Sequence, residues 1–193
     1  MNSDLKRKLQ AILELETYAN NMGFSKATLL LARDILLDER VRMHCQLNLC
    51  TNYGKNLMCP PYLPSVADNR HLIDQYTFAL LLQLQQELDR NEKEYMRQTF
   101  DVTARRFGQM AVNLERKAFT DGFHLAMALG AGECKLCDNC VIQKGEQDCI
   151  NPGTARPSME GMGIDVVRTF AAAGLDLAFT SNQLTVAGIL LID

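Results

Sequence analysis

With 193 residues, 47% of them apolar, the chain is long enough to enclose one sizeable core without disulfide support, so a single domain over 1–193 is the expectation. A formal net charge of -3 excludes the strongly basic footprint that neutralises phosphates, and no nucleic-acid partner is expected; Arg105-Arg106 and Arg116-Lys117 stand near Asp101 and Glu115 and read as a solvated helix face. The opening stretch MNSDLKRKLQAILELETYAN alternates charge with Leu and Ile and lacks the unbroken apolar run of a signal peptide or membrane helix, so the expectation is a cytoplasmic protein with no membrane partner.

Leu5, Leu9, Ile12, Leu13 and Thr17 recur at helical spacing behind a Ser3 or Asp4 cap and predict a first helix over 4–17. After the break at Gly23, ATLLLARDILL predicts a short strand near 27–32, with a buried helix as the alternative for so Leu-rich a run. CQLNLCTNYGKNLMCPP then carries Cys45, Cys50 and Cys59 among Asn52, Gly54, Asn56, Pro60, Pro61 and Pro64, which predicts a loop. YTFALLLQL over 76–84 is apolar without alternation, the pattern of a strand covered on both faces.

From Met96 the residues Phe100, Thr103, Phe107, Met110, Leu114, Ala118, Leu125 and Leu129 keep a period close to 3.6 and mark the longest amphipathic segment. Unbroken from 96 to 128 it would run roughly 50 Å at 1.5 Å per residue, so a break near Asp121-Gly122 is expected. GAGECKLCDNCVIQKGEQDCINP comes next, with Cys134, Cys137, Cys140 and Cys149 between a glycine turn and a proline. PSMEGMGIDVVRTFAAAG predicts a helix from Pro157 to a Gly174 stop, with Met159, Met162, Val166, Phe170 and Ala173 on one face. LDLAFTSNQLTVAGILLID predicts a β-hairpin turning at Ser181-Asn182-Gln183. The order of elements gives an α+β domain: a small β-sheet packed by helices, with two cysteine-rich metal-binding loops inserted between them.

All seven cysteines fall in those two segments, an odd number that cannot pair completely, and in a reducing compartment they are ligands or redox groups rather than bridges. Three thiols at i, i+3 and i+6 on one polar loop can reach three corners of a cubane, which fits a 4Fe-4S cluster; a single zinc ion more often gathers two separated ligand pairs. Gly130 and Gly132 let the backbone approach closely, and their amides can donate to cluster sulfur or else simply end the long helix. Cys149 can supply the fourth corner across an eight-residue loop, or Cys59 can, since Cys59-Pro60 resembles the Cys-Pro of ferredoxins with two clusters. If Cys149 completes that site, Cys45, Cys50 and Cys59 supply only three thiolates and leave one iron open to substrate, water or a side chain such as His44, with Tyr53 and Lys55 nearby. His71 and His124 stand alone and read as structural, while Arg156, Glu160 and Asp165 can form a polar wall near the second cluster. No Walker-type or dinucleotide glycine loop, H-E-x-x-H motif or nucleophile elbow is present.

DERVRMHCQLNLCTNYGKNLMCPPYLPS, MALGAGECKLCDNC and CINPGTARPSMEGMGIDV together resemble a family of predicted cysteine-rich metal-binding proteins, with a domain of unknown function, from anaerobic archaea and bacteria. The resemblance spans nearly the whole chain and is most specific at Cys59-Pro60-Pro61, Gly130 to Cys140 and Arg156 to Asp165. It implies metal binding, as iron-sulfur clusters in oxygen-avoiding organisms, and no established reaction. Asn56-Leu57-Met58 departs from the aromatic character common before the Cys-Pro-Pro segment, which weakens the case for aromatic shielding of the first cluster. Three functions fit: a small redox protein with a partner protein, an iron-sulfur enzyme with a small-molecule substrate at an open iron, or a zinc-stabilised binding module.

Overall fold

In the computed structural model, which describes residues 3–47, 49–89, 92–177 and 182–193, the chain runs α1 (Ser3–Asn21), β1 (Lys26–Leu31), α2 (Glu39–Gln46), α3 (Val66–Ile73), β2 (Phe78–Glu87), α4 (Lys93–Thr120), β3 (Met127–Leu129), α5 (Val166–Ala172) and β4 (Gln183–Ile192). The four strands make one antiparallel sheet in the order β1-β2-β4-β3, an α+β arrangement. Strands β2 and β4 are central and pair along their full length, Phe78 opposite Ile192 and Glu87 opposite Gln183.

Each face of that sheet is covered, which explains the uninterrupted apolar runs of the two central strands. On one face Leu80, Leu82, Val186 and Leu190 meet Ile12 and Leu15 of α1 and Phe107 and Leu114 of α4. On the other, Ala79, Leu81, Ile189 and Leu191 meet Ile35, Ile73 of α3, Met159, Ile164 and Phe170 of α5. Gly188 sits where helix and sheet approach most closely. A Cβ there would stand 2.4 Å from the Phe107 ring and 2.6 Å from the Leu129 carbonyl, so the position admits no side chain.

The long amphipathic helix ends at Thr120, beside the expected Asp121-Gly122 break, but Leu125 and Leu129 do not continue it. Met127 to Leu129 form β3 instead, opposite Leu191 to Ile189 of β4. The helix expected from Pro157 is confined to α5, capped by Asp165, whose side chain accepts from the Arg168 amide. Pro157 to Ile164 turn instead, because Gly163 takes a positive φ of 84° that a helix does not allow. Met159, Met162 and Ile164 still reach the core from those turns, so the apolar spacing was genuine and its helical reading was not. The first cysteine segment is only partly a loop, since Cys45 lies on α2. Of the expected C-terminal hairpin, the second run is β4, which pairs with β2 and β3; Leu175 to Leu177 carry no strand, and residues 178–181 lie outside the described residues.

Two short links fix the segment that carries Glu160. Gly130 bridges in parallel to Ser158, and Leu37 bridges to Ile164, so residues 158–164 are stitched between the end of β3 and the entry to α2.

Candidate metal centres

Helix α2 starts at the Asp38 cap, whose carboxylate accepts from the Arg40 amide, and it carries His44 and Cys45 on its last turn. Arg42, one turn before Cys45, is buried, and its Nη1 donates to the Pro64 carbonyl at 3.0 Å and the Gly161 carbonyl at 2.7 Å. That guanidinium holds the helix bearing Cys45 against the turn bearing Glu160.

Cys45, Cys50 and Cys59 line one cavity of about 750 Å3, together with His44, Tyr53 and Glu160. Cys59 is buried and the other six cysteines are half-buried. Burial, reinforced by Cys50, pushes the Cys59 thiol up to about 12, and burial raises Cys45 as well, so these thiols are neutral until a cation takes the place of the proton. Glu160 is enclosed in the same wall. Burial raises its carboxyl despite the opposing amides of Glu160 and Gly132 and the Ser158 hydroxyl, and its Oε2 is shut off from solvent with no hydrogen-bond partner.

The second group lies beside the first. Cys134, Cys137, Cys140 and Cys149 line a small cavity of about 20 Å3 closed by Asn56, Leu57 and Asn151. Cys149 therefore stands with the C-x2-C-x2-C run, and Cys59 with Cys45 and Cys50. N–H groups reach sulfur here: the Leu57 amide to Cys140 Sγ at 3.5 Å, the Asn151 amide to Cys149 Sγ at 3.4 Å, Asn151 Nδ2 to Cys137 Sγ at 3.3 Å, and the Leu136 amide to Cys134. Asn56 ties the two groups together, donating from Nδ2 to the Cys134 carbonyl at 3.0 Å while its Oδ1 accepts from the Met58 amide. Asn56-Leu57-Met58 thus covers the four-cysteine cavity rather than the three-cysteine one.

The two glycines have separate tasks. The Gly130 amide donates to the Pro157 carbonyl at 2.9 Å, whereas Gly132, at φ 66°, directs its amide towards Glu160 and lines the three-cysteine cavity. Arg156 pairs with Glu115 of α4, its Nε donating to Oε2 at 2.8 Å, and Glu160 and Asp165 face the first group of cysteines, not the second. Lys135, nearly enclosed, loses charge stability by burial, but Asp101 and Glu133 more than restore it and hold its pKa raised. His71 and His124 are exposed, with His124 stacked edge-on against Phe119.

Although the cysteines share cavities, among the described residues no three His, Cys, Asp or Glu side chains converge on the spacing that one metal ion needs. Four sulfurs around one zinc would stand about 3.8 Å apart, from a tetrahedral Zn–S distance of about 2.3 Å. The thiols are therefore grouped by cavity, Cys45, Cys50 and Cys59 around the larger one and Cys134, Cys137, Cys140 and Cys149 around the smaller.

The family model described as Predicted metal-binding protein (DUF2284) matches residues 28–192. The chain belongs to that family. Both groups of cysteines and Glu160 fall inside the matched span, and the metal-binding character of the family agrees with a chain whose thiols gather at two places. No curated protein and no solved structure matches the chain.

Residue-by-residue reading of the sequence missed Arg42 and the place of Glu160. A buried arginine gives no local signal, and Glu160 reads as an ordinary helix residue until the turns at Gly161 and Gly163 fold it back.

Proposed function

We propose that this member of the family is a two-centre iron-sulfur redox protein. Cys134, Cys137, Cys140 and Cys149 would hold one 4Fe-4S cluster with a thiolate at every corner. Cys45, Cys50 and Cys59 would hold a second with one position lacking a cysteine. The observation that carries the reading is the sorting of all seven cysteines into two adjacent groups, one of four that includes the C-x2-C-x2-C run and one of three. When bound, such clusters supply one-electron transfer and, at an iron without a thiolate, Lewis acidity.

The chain's own residues have definable tasks in that scheme. N–H donors from Leu57 and Asn151 stabilise negative charge on sulfur at the four-cysteine centre. The 750 Å3 cavity is of a size that admits a small molecule beside Cys45, Cys50 and Cys59, with His44 and Tyr53 placed to orient it. A redox partner protein or a small-molecule substrate would complete the cycle. We assign this activity to the chain as one domain and expect it to operate in the cytoplasm; among the described residues no helix is long and apolar enough to cross a membrane.

A zinc-stabilised binding module is the second reading, favoured by the 20 Å3 size of the four-cysteine cavity, which has room for about one water or one ion. Anaerobic purification with iron, acid-labile sulfide and zinc analysis separates the two. Iron and sulfide in comparable amounts support the cluster reading, and stoichiometric zinc without sulfide refutes it.

A further inference from the structure

The acidic groups around the three-cysteine cavity are not equivalent. Asp38 is engaged by Arg40 and by the amide it caps, Glu133 by Lys135, and Asp165 by the amide at the start of α5. Glu160 alone among them has a buried carboxylate oxygen without a partner. An enclosed carboxylate oxygen that nothing meets is costly to a folded protein, and one that persists calls for a reason, such as an ion that completes it. Here the oxygen belongs to a wall that also carries Cys45, Cys50 and Cys59. His44 and Tyr53, which line the same cavity, are exposed.

We infer that Glu160 is the fourth protein ligand of the Cys45–Cys50–Cys59 centre, its Oε2 taking the position for which no cysteine remains. The inference rests on the assignment of those three cysteines to one metal centre. With Glu160 each centre has four anionic protein donors, four thiolates at one and three thiolates with a carboxylate at the other. The two are then chemically distinct. A carboxylate is a hard donor, less suited than thiolate to an iron-sulfur centre, so this position is the exchangeable one and the place where an added ligand enters. The support for Glu160 is built into the fold: Ser158 is bridged to Gly130, Gly161 is held by Arg42, and the Gly161 amide donates to Ser158 Oγ at 2.9 Å. The side chain between them is aimed by backbone that cannot easily shift.

The test compares wild type, Glu160→Gln and Cys59→Ala, each purified and reduced without oxygen, by iron and sulfide content, electron paramagnetic resonance and the rate at which a chelator removes iron. Gln keeps the shape and removes the anionic donor. Glu160→Gln is expected to change one cluster signal, leave the other untouched and speed loss of iron from the altered centre at least about tenfold, the lower range seen when metal-site partners are removed. In metal-free protein the same variant is expected to melt no lower than wild type, since Gln keeps one oxygen for the Glu160 and Gly132 amides and replaces only the oxygen that has no partner; a loss confined to the loaded form separates ligation from packing. Unchanged signals and iron retention in Glu160→Gln, with Cys59→Ala losing one centre, overturn the inference and leave the two-centre reading standing. If Cys59→Ala also leaves both signals intact, the three-cysteine centre itself fails. Wild-type protein labelled at its glutamate carboxyl carbons gives a check that needs no variant: a pulsed-resonance coupling from a bound carboxylate carbon is expected, and its absence overturns the assignment.

Discussion

Arg42→Met tests how the fold holds the first centre. The substitution keeps most of the aliphatic length and removes the guanidinium, whose Nη1 donates at 2.7 Å to Gly161 and 3.0 Å to Pro64. Two hydrogen bonds from a charged donor contribute about 1.5–3 kcal/mol each, roughly 3–6 kcal/mol together. Arg42 Nε has no partner in the buried site, so its removal returns about 1–3 kcal/mol. The net expectation is a loss of about 3 kcal/mol, which for a chain of this length lowers the melting temperature by about 6–12 °C. Urea and thermal unfolding of the metal-free variant measure it. The same bond joins α2, with Cys45, to the turn with Glu160, so anaerobically loaded Arg42→Met should lose iron from the three-cysteine centre while the four-cysteine centre keeps its signal. A destabilisation below about 1 kcal/mol, or equal loss from both centres, would refute the view that Arg42 clamps that site.

Gly188→Ala places a methyl group 2.4 Å from the Phe107 ring and should cost at least the roughly 1–3 kcal/mol typical of overpacking, read as a lower melting temperature; an unchanged one would mean α4 slides freely on β4. Cys137→Ala should abolish the four-cysteine centre and lower the stability of the loaded protein alone, because metal ligation contributes folding free energy. Asn151→Ala removes the 3.3 Å donor to Cys137 Sγ, which should lower the reduction potential of that centre; a differential of about 1 kcal/mol corresponds to about 40 mV for one electron, measurable by redox titration. Metal uptake at the other centre should weaken as pH falls. Burial holds the Cys59 thiol at about 12, and every ligand bound as thiolate must first release its proton, so loading assayed across pH 6 to 9 that showed no pH dependence would exclude Cys59 as a ligand.

How much was legible in the sequence depends on the range of the forces involved. Strand β2 was readable because burial on both faces removes all alternation from FALLLQL, and α4 because 28 residues keep one period. Helices α2 and α3, each eight residues long, were too short for periodicity to rise above composition. Their caps were the available signal: Ser65 and Asp68 form a capping box, and Asp38 caps α2. Of the expected hairpin only β4 is seen among the described residues, and its partners there lie far away in sequence, at Phe78 to Glu87 and Met127 to Leu129, a pairing of a range that no local pattern encodes. The sequence left Cys149 and Cys59 both able to join the C-x2-C-x2-C run, and the fold groups Cys149 with it and Cys59 with Cys45 and Cys50. The position of Glu160 depends on turns at Gly161 and Gly163, where a Cβ on Gly163 would meet Val66 Cγ2 at 2.7 Å, a contact visible only once α3 is in place.

The loop from Asn52 to Pro60 makes the two groups of cysteines one mechanical unit. Cys50 and Cys59, at or just beyond its two ends, face the larger cavity, while Asn56 and Leu57 at its middle donate to Cys134 and Cys140 of the smaller one, and the Lys55 carbonyl accepts from Gln143 at 3.1 Å. A cation that draws Cys50 and Cys59 together therefore pulls on the same short stretch of backbone that supplies an N–H to Cys140 Sγ. Hydrogen bonds to sulfur are among the factors that set a cluster's potential, so occupancy of the three-cysteine site would alter the electrostatics of the four-cysteine site through Leu57. Coupling of this kind is reciprocal in free energy. Under the proposed two-centre redox function, one loop touching both groups gives a direct physical route by which a ligand arriving at the three-cysteine site changes the readiness of the other centre to give up its electron.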